Sequence, residues 1–331
     1  MRNDIPPIIP PSEVLPSCVP HNGNRPPLIP PSLGGTRLAE GGNAFQGGTT
    51  PQKIGRLALE AMLFEVSATP KPGLVDRNNS GAHKDMDFFT FMKSAASLAG
   101  SFAEFSRKGF NGGREDIPPA EVFPAVRGIG VEAERRMFSA TGGINTHKGE
   151  IFSLGLLSAC AGYLSGSGRE VTADGVMTLA GEMCAGICER DFAGVRGKSP
   201  AMLTKGERVY LEHGITGIRG EAEAGYPSVR ITGLPALRGY ISRGICMNDA
   251  LCMTLVHIMA HAHDTNIISR HDVKTADEVM TVAGGMIESG FGIEDILRLD
   301  GEFIGRWISP GGSGDLLAVT YFMYTISQKG G

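Results

Sequence analysis

The sequence predicts an all-α protein: a single globular domain of about ten or eleven helices over residues 51–329, preceded by a Pro/Gly-rich tail over residues 1–50. Three observations carry that prediction. From Pro51 onward, apolar residues recur at the three-and-four spacing of one helix face. Alternating β-branched runs are nearly absent, with Ser228–Thr232 the one short candidate strand. Hydrophobic residues make up 41% of the 331-residue chain against 20% charged, enough apolar material for a sizeable core.

The tail comes first. Ten of the 20 prolines fall within the first 50 residues, in the runs I-P-P-I-I-P-P and R-P-P-L-I-P-P, followed by Gly34, Gly35, Gly41, Gly42, Gly47 and Gly48. Such a stretch cannot sustain regular backbone hydrogen bonding and has no helical or strand period, so it is expected to be extended and mostly disordered.

The helices follow. Ile54, Leu57, Ala58, Ala61, Met62 and Glu65 share one face of a first helix, which Pro70 and Pro72 stop. Phe88, Phe91, Met92, Ala95, Leu98, Ala99, Phe102 and Phe105 mark a second of about 20 residues, ending before Gly109. Further helical stretches are expected over about 119–139, 147–165, 172–190, 199–211, 234–243, 247–265, 271–289, 292–308 and 314–328. Several of the 47 glycines fall inside these patterns, including Gly155, Gly162, Gly181 and Gly186. Each costs about 1 kcal/mol relative to alanine in a helix, so small residues there imply closely packed helices.

Composition also excludes. A net charge of −4 gives no basic face for nucleic acid. No stretch approaches the ~18 unbroken apolar residues of a membrane span, and the N-terminus lacks the pattern of a secretory signal. The six cysteines include no C-x-x-C pair, which reads as reduced core thiols of a cytoplasmic protein.

Four segments concentrate polar residues and glycine where a helical bundle would have short turns. Thr69–Asp87 joins two helices through about 18 aperiodic residues, long for such a connection. Lys71, Arg77 and Lys84 there suit phosphate oxygens, with Asn78 and His83 beside them. Asp85 and Asp87 stand at the next helix start. Capping explains one of them, and a Mg²⁺–polyphosphate site would use both. Thr141–Gly149 is a glycine-rich turn feeding a helix N-terminus, a natural anion site carrying Asn145, His147 and Lys148. Gly214–Pro227 holds Arg219, Glu221 and Glu223 among four glycines. In the fourth segment, Asp264 at a helix end opposes the dipole and so is expected to serve a metal or an arginine. Its companion is Ser313 with Asp315 at the start of the last helix, explained by capping or by phosphate and metal contact. Taken alone, these residues allow a nucleotide transferase, a nucleotide hydrolase or a non-catalytic nucleotide-binding protein.

The runs P-K-P-G-L-V-D-R-N-N-S-G-A-H-K-D-M-D, G-G-I-N-T-H-K-G-E-I-F-S-L-G-L-L, G-I-T-G-I-R-G-E-A-E-A-G-Y-P, D-T-N and S-P-G-G-S-G-D-L-L-A occur in this order across about residues 53–328. Together they resemble the triphosphoribosyl-dephospho-coenzyme A synthase family, which serves citrate lyase and malonate decarboxylase. The tail lies outside the family pattern, and Gly314 stands where alanine is expected. The resemblance implies that ATP and 3′-dephospho-coenzyme A react to give 2′-(5″-triphosphoribosyl)-3′-dephospho-coenzyme A and adenine, the product being a prosthetic-group precursor. That chemistry needs a base for the attacking ribose hydroxyl and an acid for departing adenine. Candidates are Glu65, His147, Glu221 and Glu223. Lys71, Arg77, Asn78, His83, Lys84, Asn145, Lys148, Arg219 and Ser313 are the candidate nucleotide contacts, and Asp85, Asp87, Asp264 and Asp315 the candidate Mg²⁺ ligands. A homodimer is compatible with the small interhelical residues and apolar tail.

Overall fold

Thr50 begins the first helix: its hydroxyl accepts the Lys53 N–H at 3.2 Å, and Pro51 brings the fixed φ that suits the first helical position. The structure is a computed structural model that describes residues 50–328, so the tail expected over 1–50 lies outside the described residues except for Thr50. Fifteen α-helical segments follow, with no strand among the described residues. The first half comprises α1 (Pro51–Ser67), α2 (Phe88–Ser97), α3 (Ser101–Arg114), α4 (Pro119–Thr141), α5 (Lys148–Gly166), α6 (Ala173–Met183) and α7 (Ile187–Phe192). The second comprises α8 (Lys205–His213), α9 (Ile218–Glu223), α10 (Leu234–Ser242), α11 (Met247–Met259), α12 (Thr265–Arg270), α13 (Val273–Ser289), α14 (Ile293–Arg306) and α15 (Gly311–Gln328).

The all-helical class holds, with more segments than expected because several long patterns break. The stretch 88–108 divides at Leu98–Gly100 into α2 and α3, and 172–190 divides where Gly186 adopts φ 73° before α7. The stretch 247–265 ends early, at Met259. Gly214–Pro227, expected as a loop, contains the six-residue α9. Ser228–Thr232 is not a strand: it forms a π-helical turn, Ser228–Gly233, running directly into α10. Its Val-Arg-Ile-Thr alternation resembled a strand, but Ser228, Val229 and Gly233 are the buried positions, the last two four apart, and Ile231 is exposed.

α5 is the axis of the bundle. It is apolar on nearly every side and buried among α1, α3, α4, α6 and α15, the surroundings such a helix needs. Glycines set its distance from α3. A Cβ on Gly109 would lie 1.8 Å from the Ala159 carbonyl oxygen, on Gly113 2.1 Å from that of Tyr163, and on Gly162 2.0 Å from that of Ser106. The expectation of close helix packing is met here, and Gly155 adds to it by lying flat on the Phe105 ring. Cys160, Cys184, Cys188 and Cys252 are free thiols, the state expected of them. No helix among the described residues is long and apolar enough to cross a membrane.

Candidate active site

The connection between α1 and α2 is ordered by two buried aspartates. Asp76 accepts the Lys71, Asn78 and Asn79 N–H groups and the Thr69 hydroxyl. Asp300, on the buried face of α14, accepts the Gly73 N–H and the Asn79 side-chain amide, both at 2.9 Å. Asn248 on α11 pairs with both backbone groups of Thr69. Gly73 takes φ +67° with Ile308 carbonyl oxygen against its α-carbon, so only glycine fits. A segment without periodicity is thereby held by side-chain hydrogen bonds, and it inserts Lys71 into the core.

Lys71 is 1% exposed and pairs with Glu65, which is 4% exposed on the inner face of α1. Around this pair the fold gathers further carboxylates. Glu150, from the first turn of α5, is buried with Oε2 lacking any partner. Asp315, from the first turns of α15, accepts the Glu150 backbone N–H and lies against Gly149. Burial raises the proton affinity of Glu65 despite Lys71. Burial, and then the negative charges of Glu65 and Asp315, push Glu150 well above the ordinary carboxylate range. Asp315 is raised well above it by burial and by Asp264 and Glu65. Among the described residues, one buried lysine thus stands against this group of buried carboxylates.

Asp264 sits beside them with a different task. The helix expected to end at Asp264 ends earlier, so this residue starts α12 rather than closing α11. The dipole argument is therefore reversed: its carboxylate is a favourable N-cap. Oδ1 accepts the Asn266 and Ile267 N–H groups, and Oδ2 accepts the N–H and hydroxyl of Ser313 at 2.7 and 3.0 Å. One carboxylate fastens the starts of α12 and α15 together. Ser313 is a donor to Asp264 inside the first turn of α15, not the cap of that helix.

Two of these carboxylates, Asp264 and Asp315, open onto a cavity of about 420 Å³. Asp264, Asp315 and Gly312 line one part of it; Gly214, Gly217, Gly220 and Glu221 line another, with Ile215, Ile218, Pro227 and Leu316 supplying apolar surface. Glu221 is fixed by Ser228, whose N–H donates to Oε2 at 3.2 Å and whose hydroxyl donates to Oε1 at 2.6 Å. Burial raises the Glu221 pKa, against those two hydrogen bonds.

Of the residues singled out from sequence, the fold brings together Glu65, Lys71, Asp264, Ser313 and Asp315, with Glu221 on the same cavity. His147 is fully buried near Lys71, its Nδ1 2.6 Å from the Ser94 hydroxyl and its Nε2 without a partner. Burial, followed by Lys71, lowers its pKa to about 3, so the ring is neutral. Others lie elsewhere. Asp87 caps α2 in a reciprocal pair with Thr90 and is exposed, as is Asp85, 3.8 Å from His83. His83 Nε2 meets the Ser309 hydroxyl at 2.9 Å, and Lys84 lies over the Trp307 ring. Arg77 and Asn78 are exposed. Asn145 accepts the Lys148 N–H while Lys148 pairs with Glu134; Arg219 pairs with Asp191. Glu223 accepts the Gly186 and Cys188 N–H groups at the start of α7; the Cys188 thiol first, and then these N–H groups, lower its pKa. Among the described residues, no group of three or more His, Cys, Asp or Glu is spaced to hold a metal by itself.

Sequence reasoning passed over Glu150, Asp76 and Asp300 as site-forming residues. Two of them carried a signal. Glu150 directly follows the glycine-rich turn on a helix that is otherwise apolar, and Asp300 interrupts the Ile296, Leu299, Phe303 face of α14.

Residues 51–331 match the family model described as ATP:dephospho-CoA triphosphoribosyl transferase. A 2-(5″-triphosphoribosyl)-3′-dephosphocoenzyme-A synthase of Pectobacterium atrosepticum is 38% identical over 271 residues, covering 82% of this chain and 88% of that protein. The protein of the same name from Klebsiella pneumoniae is 39% identical over 269 residues, covering 80% and 87%. A probable synthase of Pectobacterium carotovorum is 39% identical over 271 residues, covering 82% and 88%. No solved structure matches the chain. The order of the motifs, the carboxylate-lined cavity they build and the match across the whole helical region lead to one conclusion: the chain belongs to the ATP:dephospho-CoA triphosphoribosyl transferase family.

Proposed function

We propose that the cavity between α9, α12 and α15 is where the chain transfers the 5-triphosphoribosyl group of ATP to the ribose 2′-hydroxyl of 3′-dephospho-CoA. The carrying observation is the surplus of buried carboxylates, Glu65, Glu150 and Asp315 against Lys71, of which Asp315 lines a cavity rich in glycine. Such a surplus costs stability and is retained where a cationic species must be met. Glycosyl transfer supplies one, because the bond from ribose C1′ to adenine N9 breaks through an oxocarbenium-like state.

The C1′–N9 bonding pair leaves with adenine. The 2′-oxygen of the acceptor forms the new bond to C1′, its proton passes to a base, and the triphosphate stays intact. Glu65 is the candidate base, since Lys71 steadies the carboxylate before the proton arrives. The glycines at 214, 217, 220 and 312 leave room for the backbone to approach the two nucleotides closely.

A Mg²⁺ ion fits the donor set. The partnerless Oε2 of Glu150 and the carboxylate of Asp315 are hard oxygen donors, and this ion commonly takes only one or two carboxylates beside phosphate oxygens. Glu150 and Asp315 would hold it, where it would neutralise charge on the triphosphate.

The test is direct. The protein is incubated with ATP, 3′-dephospho-CoA and Mg²⁺, and the products are resolved by liquid chromatography and mass spectrometry. Adenine and the triphosphoribosyl adduct should appear in equal amounts, only with acceptor present, and Asp315→Asn should abolish both. ADP and phosphate as products, or adenine formed equally without acceptor, would overturn the proposal.

A further inference from the structure

Glu221 is held by an unusual piece of backbone. α9 ends in a turn in which Tyr226 adopts φ 55°, a left-handed conformation that a large aromatic residue rarely takes. Tyr226 is fully buried, which locks the turn, and its N–H donates to the Glu221 carbonyl. The chain then enters the π-helical turn Ser228–Gly233, and the first residue of that turn grips the Glu221 carboxyl through both N–H and hydroxyl. Strained backbone and π turns cluster at functional sites, because the surrounding fold must offset their cost. Here both converge on one side chain, and that side chain lines the cavity.

The charges around Glu221 are otherwise engaged or placed apart. On α9, Arg219 pairs with Asp191 and Glu223 binds the start of α7. Glu182 on α6 and Arg190 on α7 are exposed, and Glu150 on α5 belongs to the carboxylate cluster. Asp264, Asp315, His261 and His263 share the cavity with it. Among the described residues no cation pairs with Glu221, and the groups there that favour its ionised form are the N–H and hydroxyl of Ser228.

We propose that Glu221, positioned by Ser228 and the Tyr226 turn, is the catalytic acid that protonates the departing adenine. This rests on the reaction proposed above and adds the missing half of its proton balance. The carboxylic acid proton goes to a ring nitrogen of adenine as the C1′–N9 bond breaks, so the base leaves neutral and Glu221 is left as carboxylate. The proton taken from the acceptor hydroxyl balances the one given up. The apolar surface of Ile215, Ile218, Pro227 and Leu316 suits a flat purine beside the acid.

The experiment compares two donors on the full chain with 3′-dephospho-CoA as acceptor: ATP, and the 5′-triphosphate of 4-nitrophenyl riboside, whose phenolate leaves without a proton. Glu221→Gln keeps an acceptor for Ser228 and should lower kcat with ATP by about 10²–10⁴-fold. It should leave turnover of the nitrophenyl donor close to wild type, with unchanged thermal melting. Equal loss with both donors, or undiminished turnover of ATP, would overturn the assignment. The pH profile decides independently, including when the wild type rejects the nitrophenyl donor. Activity must fall as pH rises through the Glu221 pKa. Ser228→Ala removes a donor that favours the carboxylate, so that limb should move to higher pH. A limb that stays in place overturns the proposal. Failure of the underlying reaction is distinguishable, since the wild type would then release no acceptor-dependent adenine.

Discussion

Adding one methyl group at Gly149 should separate activity from stability in this enzyme. A Cβ at this position, in the first turn of α5, would lie 1.9 Å from Asp315 Oδ2 and 2.6 Å from its Cγ. Ordinary contact needs about 3.5 Å, so the carboxylate must retreat by about 1.5 Å. It is the end of a side chain and can turn, at a cost of about 0.5–1.5 kcal/mol for a poorer rotamer. It also gives up the Glu150 N–H, about 1 kcal/mol. Alanine in place of glycine returns about 1 kcal/mol to the helix. The net loss is about 1 kcal/mol, a shift of about 2–4 °C in melting temperature. Catalysis is less forgiving, since a 1 Å misplacement costs about 10²-fold. Gly149→Ala should therefore fold, melt within a few degrees of wild type and release adenine about 10²-fold more slowly. Gly284→Ala on α13, where a Cβ would meet nothing within 4 Å, is the control and should keep full activity. Adenine release by chromatography and melting by circular dichroism supply both readings. A Gly149→Ala protein working within about threefold of wild type would refute the placement of Asp315 in the active site.

Three further outcomes are expected. Asp264→Ala removes the fastening of both the α12 and α15 starts and should cost about 2–4 kcal/mol in urea unfolding; a loss under ~0.5 kcal/mol would mean that neither cap matters. Glu150 has a folded-state pKa above its unfolded one, so its contribution to stability is greatest below about pH 4 and declines as pH rises. In EDTA, Glu150→Gln should accordingly melt higher than wild type at pH 8, with the difference closing near about pH 4; an equal difference at both pH values would contradict it. His147 has a folded pKa of about 3, below its unfolded value, so its contribution to stability is present above about pH 6.5 and is lost as pH falls towards 3. Its ring proton resonances should not titrate between about pH 5 and 8, and a midpoint near 6 would exclude the buried neutral ring.

The helical class was legible because it depends on periodicity, which is local. Ile54, Leu57, Ala58, Ala61 and Met62 announce α1 without knowledge of any other residue, and all are buried. Helix breaks were less legible. Gly186 reads as a packing glycine until its φ of 73° is known, and Met259 ends α11 where periodicity could continue. The site was legible as a set of segments but not as a set of contacts. Lys71 and Gly73 were visible as residues of the long connection, yet their partners Glu65 and Asp300 come from helices, in the second case 227 residues from Gly73. No spacing rule connects them. The Asp264 error has the same origin: one displaced helix boundary turned an N-cap into an apparent dipole clash.

The charge inventory constrains how ATP enters. Among the described residues, Lys71 is the one buried lysine or arginine, and Glu65 already holds it. Arg77 and Lys84 are exposed, Lys148 is tied to Glu134 and Arg219 to Asp191. A triphosphate brought bare towards Glu65, Glu150 and Asp315 would set like charges against each other in a place of low dielectric, where repulsion is strongest. Two remedies fit the structure. Protonation of Glu150 and Asp315 removes charge from the protein, and their raised proton affinities favour it. Arrival of the nucleotide with a divalent cation removes charge from both partners at once, and releases those protons as it does so. The two remedies differ in a measurable way. Binding with the cation should expel protons into the buffer, whereas binding to the protonated cluster should not. Calorimetry of ATP binding in buffers of different ionisation enthalpy therefore reads out which one the enzyme uses.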